Sequence, residues 1–380
     1  MIKIENKENC CGCSACFNAC PHRCITMKAD CEGFLYPVTD VSICTECGLC
    51  EKVCPIINRK ENHSLQVLAA KNPNNQTRKD STSGGLFSAI AEKIIEDGGT
   101  VFGATFNNNW EVVHKGVNNI QNLSSLRGSK YVQSNIADCF KEIKQLLEQN
   151  IPVLFSGTPC QAAGLKLYLK KEYSNLFITD IVCHGVPSPQ IWKEYLHSVK
   201  ENVQDIRYIN FRKKERGWAD ADFIITDNKG NTIVKDKYRE NLYFKGFMDN
   251  LYLRPSCYKC PARYGFYHSD ITLGDYWGIE KQHPEFADAD GVSLVIVNSE
   301  KGKKLLEELN IQIQESSIEK ATDNRNACIL NNPKRTIDSA YFWKQYKKTG
   351  VAAIAKSLEH KKKPSLRRFC NKMLDRLKQR

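Results

Sequence analysis

Residues 10–21 read CCGCSACFNACP and residues 44–55 read CTECGLCEKVCP, so one spacing, Cys-x2-Cys-x2-Cys-x3-Cys-Pro, occurs twice. Three thiolates separated by two residues can surround one face of an iron–sulfur cubane, whose sulfides then accept hydrogen bonds from the intervening backbone. Zinc ribbons use two Cys-x2-Cys pairs and need neither the third cysteine nor the Cys-Pro ending. The repeat therefore predicts a bacterial-ferredoxin-like dicluster domain over residues 1–57.

The same spacing assigns the ligands, because in two-cluster ferredoxins the cysteine before proline reaches the other cluster. Two 4Fe-4S clusters are predicted, one held by Cys10, Cys13, Cys16 and Cys54, and the other by Cys44, Cys47, Cys50 and Cys20. The off-pattern cysteines of this region, Cys11, Cys24 and Cys31, are interpreted as packing thiols or thiols beside a cluster. Tandem clusters are typical of single-electron relay.

The cysteine content of the whole chain supports metal or redox chemistry. Eighteen of the 380 residues are cysteine, and the first residues lack the apolar core of a secretory signal. We therefore expect a cytoplasmic protein, where thiols stay reduced and disulfides are rare. No apolar run approaches the ~20 residues that a membrane span needs.

The formal charge of +12 is concentrated at the C-terminus, because residues 356–380 contain ten Lys or Arg and two acidic residues. The rest of the chain is nearly balanced, which gives no support for a nucleic-acid-binding body. Apolar residues recur at helical spacing over residues 366–377 between basic ones. This basic amphipathic helix either docks on the body or contacts an anionic membrane surface or an acidic partner.

After a polar linker near residues 58–65, strand-like and helix-like segments alternate. The predicted strands include residues 100–105, 153–156 and 176–182, and a helix is expected near residues 161–170. This alternation predicts an overall α+β chain with an α/β body and a mixed sheet over residues 66–310, followed by a helical extension over residues 311–380.

Four further cysteines lie in the body. Two follow predicted strands, where α/β sheets bind their ligands, and two form a Cys-x2-Cys pair. We therefore predict a third 4Fe-4S site, with a zinc site or a dithiol redox pair as alternatives on spacing alone; its ligands are Cys160, Cys183, Cys257 and Cys260.

A Ser-Thr-Ser-Gly-Gly turn at residues 81–85 precedes a predicted helix. Free backbone N–H groups and the helix dipole at such a position favour a phosphate. An ordinary N-cap with a tight turn explains the same residues.

Taken together, the segments resemble the family of coenzyme F-420 hydrogenase/dehydrogenase beta subunits over nearly the whole chain to about residue 300. Besides the double cysteine repeat, the resemblance rests on residues 81–85, 98–103, 127–134, 157–161, 183–188, 211–212, 217–218, 256–260 and 270–278. The lysine-rich extension beyond about residue 310 has no counterpart in this resemblance.

The resemblance implies a flavoprotein that holds FAD and iron–sulfur clusters and passes electrons to a deazaflavin or another hydride carrier such as a nicotinamide. It implies flavin contacts at Ser83, Gly84, Gly85, Arg127, Gly128, Ser129, Lys130 and Tyr131. Lys130, near the ring, and His184, beside the body cluster, are candidate catalytic or tuning groups, although His184 fits a structural role as well. The resemblance also supports the third cluster.

The first functional hypothesis is therefore an oxygen-sensitive iron–sulfur flavoprotein oxidoreductase. The second is an electron-relay subunit that serves a partner enzyme without its own small-molecule substrate; relatives with this layout occur in bacteria, some in polysaccharide-related surroundings. The third is a zinc-stabilised binding module, which would be colourless.

Overall fold

The computed structural model describes residues 1–59, 64–261, 268–323 and 326–362. Its strands are β1 (Ile25–Ala29), β2 (Leu35–Thr39), β3 (Gln66–Lys71), β4 (Thr100–Phe106), β5 (Val112–Val117), β6 (Val153–Gly157), β7 (Leu176–Ile181), β8 (Ile206–Lys213), β9 (Asp222–Asp227), β10 (Thr232–Lys237), β11 (Ile271–Asp275), β12 (Ser293–Val297) and β13 (Gln312–Ser316).

The α-helices connect and cover these strands. They are α1 (Ala15–Ala19), α2 (Leu49–Lys52), α3 (Asn75–Asp80), α4 (Leu86–Glu96), α5 (Ile120–Leu123), α6 (Cys139–Glu148), α7 (Pro159–Leu169), α8 (Pro189–Val199), α9 (Leu242–Met248), α10 (Ile279–Gln282), α11 (Glu300–Glu307), α12 (Ile318–Thr322), α13 (Ile337–Thr349) and α14 (Ala353–Lys362). Across the described residues, none of these helices has the length and apolar character needed to cross a bilayer.

An eight-stranded mixed sheet in the order β13-β3-β12-β11-β7-β6-β4-β5 forms the centre of the body. Strands β4, β6, β7 and β11 run parallel to their neighbours within this group, and the outer strands pair antiparallel. The carboxyl ends of the four parallel strands therefore lie at one edge of the sheet, the usual place for a binding site in α/β proteins.

Alternation along the strands gives the sheet two buried faces. On β6, Leu154 packs with α4 and α11 on one face, whereas Val153 and Phe155 pack with α6 and α7 on the other. Burial on both faces explains why β6 reads as a continuous apolar run in the sequence.

A second, antiparallel sheet of β10-β9-β8 lies beside an aromatic core. Trp192 of α8, Phe211 of β8 and Tyr243 of α9 meet there with ring centroids 5.0 to 6.2 Å apart. Phe342 of α13 and Ile354 of α14 are fully buried in the same core. The described C-terminal helices are thus part of the packed body.

The N-terminal cysteine region packs against the large sheet's helical layer. Helix α1 contacts α7, where a Cβ on Gly164 would lie 2.9 Å from Cys13 Sγ. A larger residue at this helix position would separate the two segments.

The α/β body with a mixed sheet and the C-terminal helices agree with the sequence prediction. One difference concerns β13, which pairs with β3 although it follows the expected body boundary at residue 310. Its side chains are mostly exposed at the sheet edge, so the segment lacks the apolar pattern that reveals a strand. The predicted basic helix over residues 366–377, including Cys370, lies outside the described residues.

Candidate functional site

A large cavity of about 1690 Å³ opens at the carboxyl edge of the parallel strands. Gly157 at the end of β6, Ile181 at the end of β7 and Asp275 at the end of β11 all contribute to its wall. On the other side it is closed by residues of α9 and by Leu358 of α14. One cavity thus joins segments from the whole length of the body.

The predicted phosphate turn forms part of this wall. Ser83, Gly85 and the first residues of α4 line the cavity, and Gly85 has a left-handed φ of +84°. Helix α4 is eleven residues long, so its first N–H groups and its dipole favour an anion at this position. The turn therefore begins a helix at the edge of the cavity, and a phosphate at this position stays a prediction.

Gly84 has a different role from its neighbours. It lies behind the cavity wall, where an added Cβ would be 2.6 Å from the carbonyl oxygen of Ala70 and 2.6 Å from the Ser293 nitrogen. Its N–H donates to Ser293 Oγ at 2.9 Å. Gly84 is thus required for close packing of the turn on the sheet, whereas the family resemblance implies a flavin contact at this position.

Lys214 also holds the turn in place. Its Nζ donates to the carbonyl oxygens of Ser83, at 2.6 Å, and of Arg78, at 2.8 Å. Burial lowers the pKa of Lys214 to about 7. The lysine fixes the turn with hydrogen bonds and makes it more positive when protonated.

The predicted contacts at residues 127–131 form the neighbouring wall. Arg127, Gly128, Ser129, Lys130 and Tyr131 all line the cavity. The guanidinium of Arg127 is already engaged, because it donates to Ser88 Oγ at 2.9 Å and pairs with the Glu92 carboxylate at 2.7 Å. Arg127 therefore braces this segment against α4.

Lys130 is a titratable residue of this segment whose pKa is strongly shifted by its surroundings. Its Nζ donates to the carbonyl oxygens of Arg127, at 2.9 Å, and Ser125, at 3.0 Å. Burial in the cavity wall lowers the pKa of Lys130 to about 7. The amine is therefore poised to change its charge near neutral pH, as a tuning or acid–base group requires.

His114, which no sequence motif singles out, also faces the cavity. Burial lowers its pKa to about 4, so the ring is neutral at pH 7. Its Nε2 lies 3.0 Å from the Ser156 carbonyl oxygen, which only accepts, so Nε2 carries the proton. The residue presents a polar but uncharged ring edge.

A buried ion pair lies where the motifs at residues 211–212 and 270–278 meet. Arg212 donates to Asp275 at 2.6 Å, and the Trp218 indole N–H donates to the other carboxylate oxygen at 2.8 Å. Trp218 stacks on Trp277 at 4.3 Å, and the guanidinium lies 5.2 Å from the Trp277 ring centroid. These residues form a rigid, charged corner of the cavity.

The structure brings together the first set of N-terminal cysteines. Electrostatic interactions link Cys16 to Cys10 and Cys54, and Cys13 to Cys16 and Cys54. Cys54, of the second repeat, thus lies near the first repeat, and so does Cys50, which also interacts with Cys16. Burial raises the pKa of the Cys16 thiol to about 12, so without metal this thiol is protonated.

The second set lines a small separate cavity near the surface. It is bounded by Cys44, Cys47, Cys50 and, from the first repeat, Cys20. Cys47 is exposed, and the off-pattern Cys24 is buried with its Sγ 3.2 Å from that of Cys20. The structure therefore places Cys24 directly beside the predicted ligands.

Among the body cysteines, Cys160 and Cys257 are close enough to interact electrostatically, as are Cys257 and Cys260. The Val186 N–H donates to Cys257 Sγ at 3.4 Å, which brings the segment after Cys183 to the same place. Cys183 itself lines the large cavity, so this group of cysteines borders the candidate flavin site.

Two details of this region were not visible in the sequence. Cys11 interacts with both Cys13 and Cys160, so it lies between the first N-terminal set and the body set. His184 Nε2 is 2.7 Å from Asn250 Oδ1, and its ring packs edge-on against Phe247. Both interactions fit a supporting role for His184, which also lines the cavity.

Within the described ranges, no three His, Cys, Asp or Glu side chains are arranged to hold a metal ion. The assignment of each cysteine to a cluster therefore stays a prediction.

Comparison with known proteins shows a similarity over the second half of the body. Residues 152–321 match the family described as the C-terminal part of the beta subunit of coenzyme F420 hydrogenase/dehydrogenase. This match agrees with the resemblance that the sequence motifs indicate.

The F subunit of the F420H2 dehydrogenase of Methanosarcina mazei is 23% identical over 322 residues, which cover 80% of this chain and 83% of that protein. A solved structure of the F420-reducing [NiFe] hydrogenase complex from Methanosarcina barkeri contains a similar chain, with 15% identity and a TM-score of 0.47. That similarity covers 79% of this chain and 93% of the other.

Proposed function

We propose that the protein is an iron–sulfur flavoprotein oxidoreductase that passes electrons between 4Fe-4S clusters and a hydride carrier or substrate through FAD. The observation that carries this proposal is the shared wall: Cys183, from the predicted body cluster, lines the same cavity as Ser83 and Lys130, from the predicted flavin site. The curated relative, by name part of a dehydrogenase, supports an oxidoreductase.

The cavity fits a dinucleotide and a second molecule. A single small-molecule site usually occupies about 300–1,000 Å³, whereas this cavity measures about 1690 Å³. It combines an anion-favouring helix start with an apolar wall that includes Leu126 and Phe244. A pyrophosphate at the turn and a ring system against the apolar wall are compatible with these residues.

A bound flavin accepts a hydride as two electrons and releases them singly, which joins hydride chemistry to one-electron carriers. The chain's own residues would prepare the site for that exchange. Lys214 fixes the 81–85 turn, Arg127 braces the adjacent segment, and Lys130 supplies a positive charge that burial makes adjustable near neutral pH.

The cysteine sets have an order that supports electron relay. Cys47 of the outer set is exposed, the inner set around Cys16 is buried, and Cys257 accepts a hydrogen bond from the Val186 N–H, in the segment that follows the cavity-lining Cys183. Electrons entering from a protein partner at the surface would thus approach the cavity in steps. Deazaflavin and nicotinamide carriers are both compatible with this arrangement.

An electron-relay subunit without its own substrate is the second candidate function. It is favoured by the name of the curated relative, which is one lettered subunit of a dehydrogenase and so indicates assembly with other chains. A redox partner protein is therefore proposed in both cases. The purified chain distinguishes them: a relay alone would neither oxidise nor reduce a nicotinamide or deazaflavin when fully loaded.

Anaerobic purification followed by iron, sulfide and flavin analysis tests the proposal. Three cubanes predict about 12 iron and about 12 sulfide per chain, with about one FAD. About eight iron with FAD would remove the body cluster from the proposal, and a colourless zinc protein would overturn it. A screen of hydride donors then identifies the carrier.

The pH dependence of flavin affinity tests Lys130. With a pKa near 7, the amine is cationic at pH 6 and neutral at pH 8.5, so it attracts anionic FAD mainly at the lower pH. We expect the Kd for FAD, measured by fluorescence quenching, to rise about tenfold over this range, which corresponds to roughly 1.4 kcal/mol. Lys130→Met should reduce this step to the part that Lys214 contributes, because the pKa of Lys214 at the 81–85 turn is also about 7.

Lys115→Met is the matched control, because Lys115 is an exposed lysine on β5 that does not line the cavity. It should retain the wild-type pH profile. The same profile in all three proteins would contradict a role for the Lys130 charge in binding FAD.

A further inference from the structure

Arg254 is the most unusual charged residue outside the cavity. Its side chain is fully buried, with 0% exposure, yet the described residues include no carboxylate partner for it. A buried guanidinium without an anion is costly. Its surroundings should therefore contain a negative charge when the protein is complete.

The contacts of Arg254 lead to the first predicted cluster. Its Nε donates to the Cys10 carbonyl oxygen at 2.7 Å, and one terminal nitrogen lies 3.5 Å from Cys10 Sγ. The same nitrogen donates to the Leu35 carbonyl oxygen at 2.9 Å, and the other donates to Gln133 at 2.9 Å. The guanidinium also stacks 4.3 Å from the Tyr36 ring centroid.

The backbone of Arg254 belongs to the body cysteine region. Its N–H donates to the Val186 carbonyl oxygen at 3.0 Å, and its own carbonyl accepts from the Cys257 N–H at 2.9 Å. Arg254 thus connects three segments that carry predicted ligands: the one at Cys10, the one after Cys183 and the turn at Cys257.

Gly12 shows how closely this side chain fits the N-terminal repeat. A Cβ at Gly12 would lie 2.7 Å from a terminal nitrogen of Arg254 and 2.9 Å from its Cζ, and the glycine φ of +71° disfavours other residues. Gly12 lies between the predicted ligands Cys10 and Cys13. Because it has no side chain, the first repeat leaves space for the guanidinium at this position.

We propose that Arg254 is a positioning residue that fixes the Cys10 and Cys257 segments relative to each other and whose charge raises the reduction potential of the cluster at Cys10. Four thiolates and an oxidised cubane carry a net charge of about 2−, and reduction adds one electron. A cation and an N–H donor at the ligating sulfur stabilise this added charge. The inference rests on the proposed function, because it requires clusters.

The test is a potentiometric titration, followed by electron paramagnetic resonance, of the anaerobically purified full chain. Arg254→Met should lower the midpoint potential of the cluster at Cys10 and leave that of the outer cluster unchanged. Arg254→Lys, which keeps the charge but not the forked donors, should lower it less. The control Arg59→Met removes an exposed arginine from the same region and should match the wild type.

If a variant binds fewer clusters than the wild type, its iron content is measured in place of the midpoint potential. Selective loss of about four iron in Arg254→Met and Arg254→Lys agrees with the proposal, because Cys10 then lacks its support. Unchanged potentials in fully loaded variants, or loss of every cluster together, would contradict it. A wild-type chain without clusters would instead overturn the proposed function itself, and this inference with it.

Discussion

The double variant Cys257→Ser, Cys260→Ser is expected to contain about eight iron per chain instead of about twelve, because one of three cubanes loses two ligands. Cys257 is buried, and burial raises its pKa to about 12, so only a bound metal would hold it as a thiolate. Serine is a much poorer ligand for iron–sulfur clusters than thiolate. FAD content should be unchanged, since neither residue lines the cavity.

Cys139→Ser is the matched control for this variant. Cys139 is equally buried, but it begins α6 and packs in an apolar core. It should keep all its iron. If the double variant also keeps about twelve iron, the body-cluster assignment is wrong; if the wild type contains about eight iron and one zinc, and only the zinc is lost, the site is a zinc site.

Asp275→Asn is expected to destabilise the protein by about 3–5 kcal/mol, because it leaves the Arg212 guanidinium buried without its counter-charge. The Arg212 side chain is 3% exposed, and its Nε and second terminal nitrogen have no hydrogen-bond partner among the described residues. Asparagine retains an oxygen that can accept the hydrogen bond from the Trp218 N–H. The variant therefore removes the negative charge of Asp275 and keeps this hydrogen bond. Urea unfolding of the anaerobic protein measures the change.

A surface pair provides the comparison at the same distance. Lys235 and Glu215 are also 2.6 Å apart, but both side chains are more than 40% exposed. Glu215→Gln should cost less than about 1 kcal/mol because solvent screens the pair. Replacing both Arg212 and Asp275 with apolar residues should recover part of the loss. Equal effects of Asp275→Asn and Glu215→Gln would show that burial does not strengthen this pair.

Cysteine spacing made the N-terminal prediction specific because ligands of one cluster must lie at fixed separations along the chain. The strand β6 was equally readable, since burial on both faces produces a continuous apolar run over Val153, Leu154 and Phe155. The 81–85 turn was recognisable for a related reason: glycine and small polar residues before a helix report a local backbone geometry.

The parts that could not be predicted depend on distant partners. Nothing local in Gln312–Ser316 indicates that it pairs with β3, because an exposed edge strand needs no apolar alternation. His114 became a candidate only through the cavity that surrounds it. Arg254 did leave one signal, a charged residue between apolar Leu253 and Pro255, but its acceptor on Cys10 lies 244 residues away.

The sequence by itself determined the two cysteine repeats, the alternating α/β body and the resemblance to the coenzyme F420 beta-subunit family, because each depends on local spacing and pattern. Only the tertiary structure decided that one cavity joins the 81–85 turn to Cys183 and that a buried arginine links Cys10 to the Cys257 turn. The reason is physical: spacing along the chain fixes ligand geometry, whereas the balance of a buried charge depends on whichever groups the fold brings beside it.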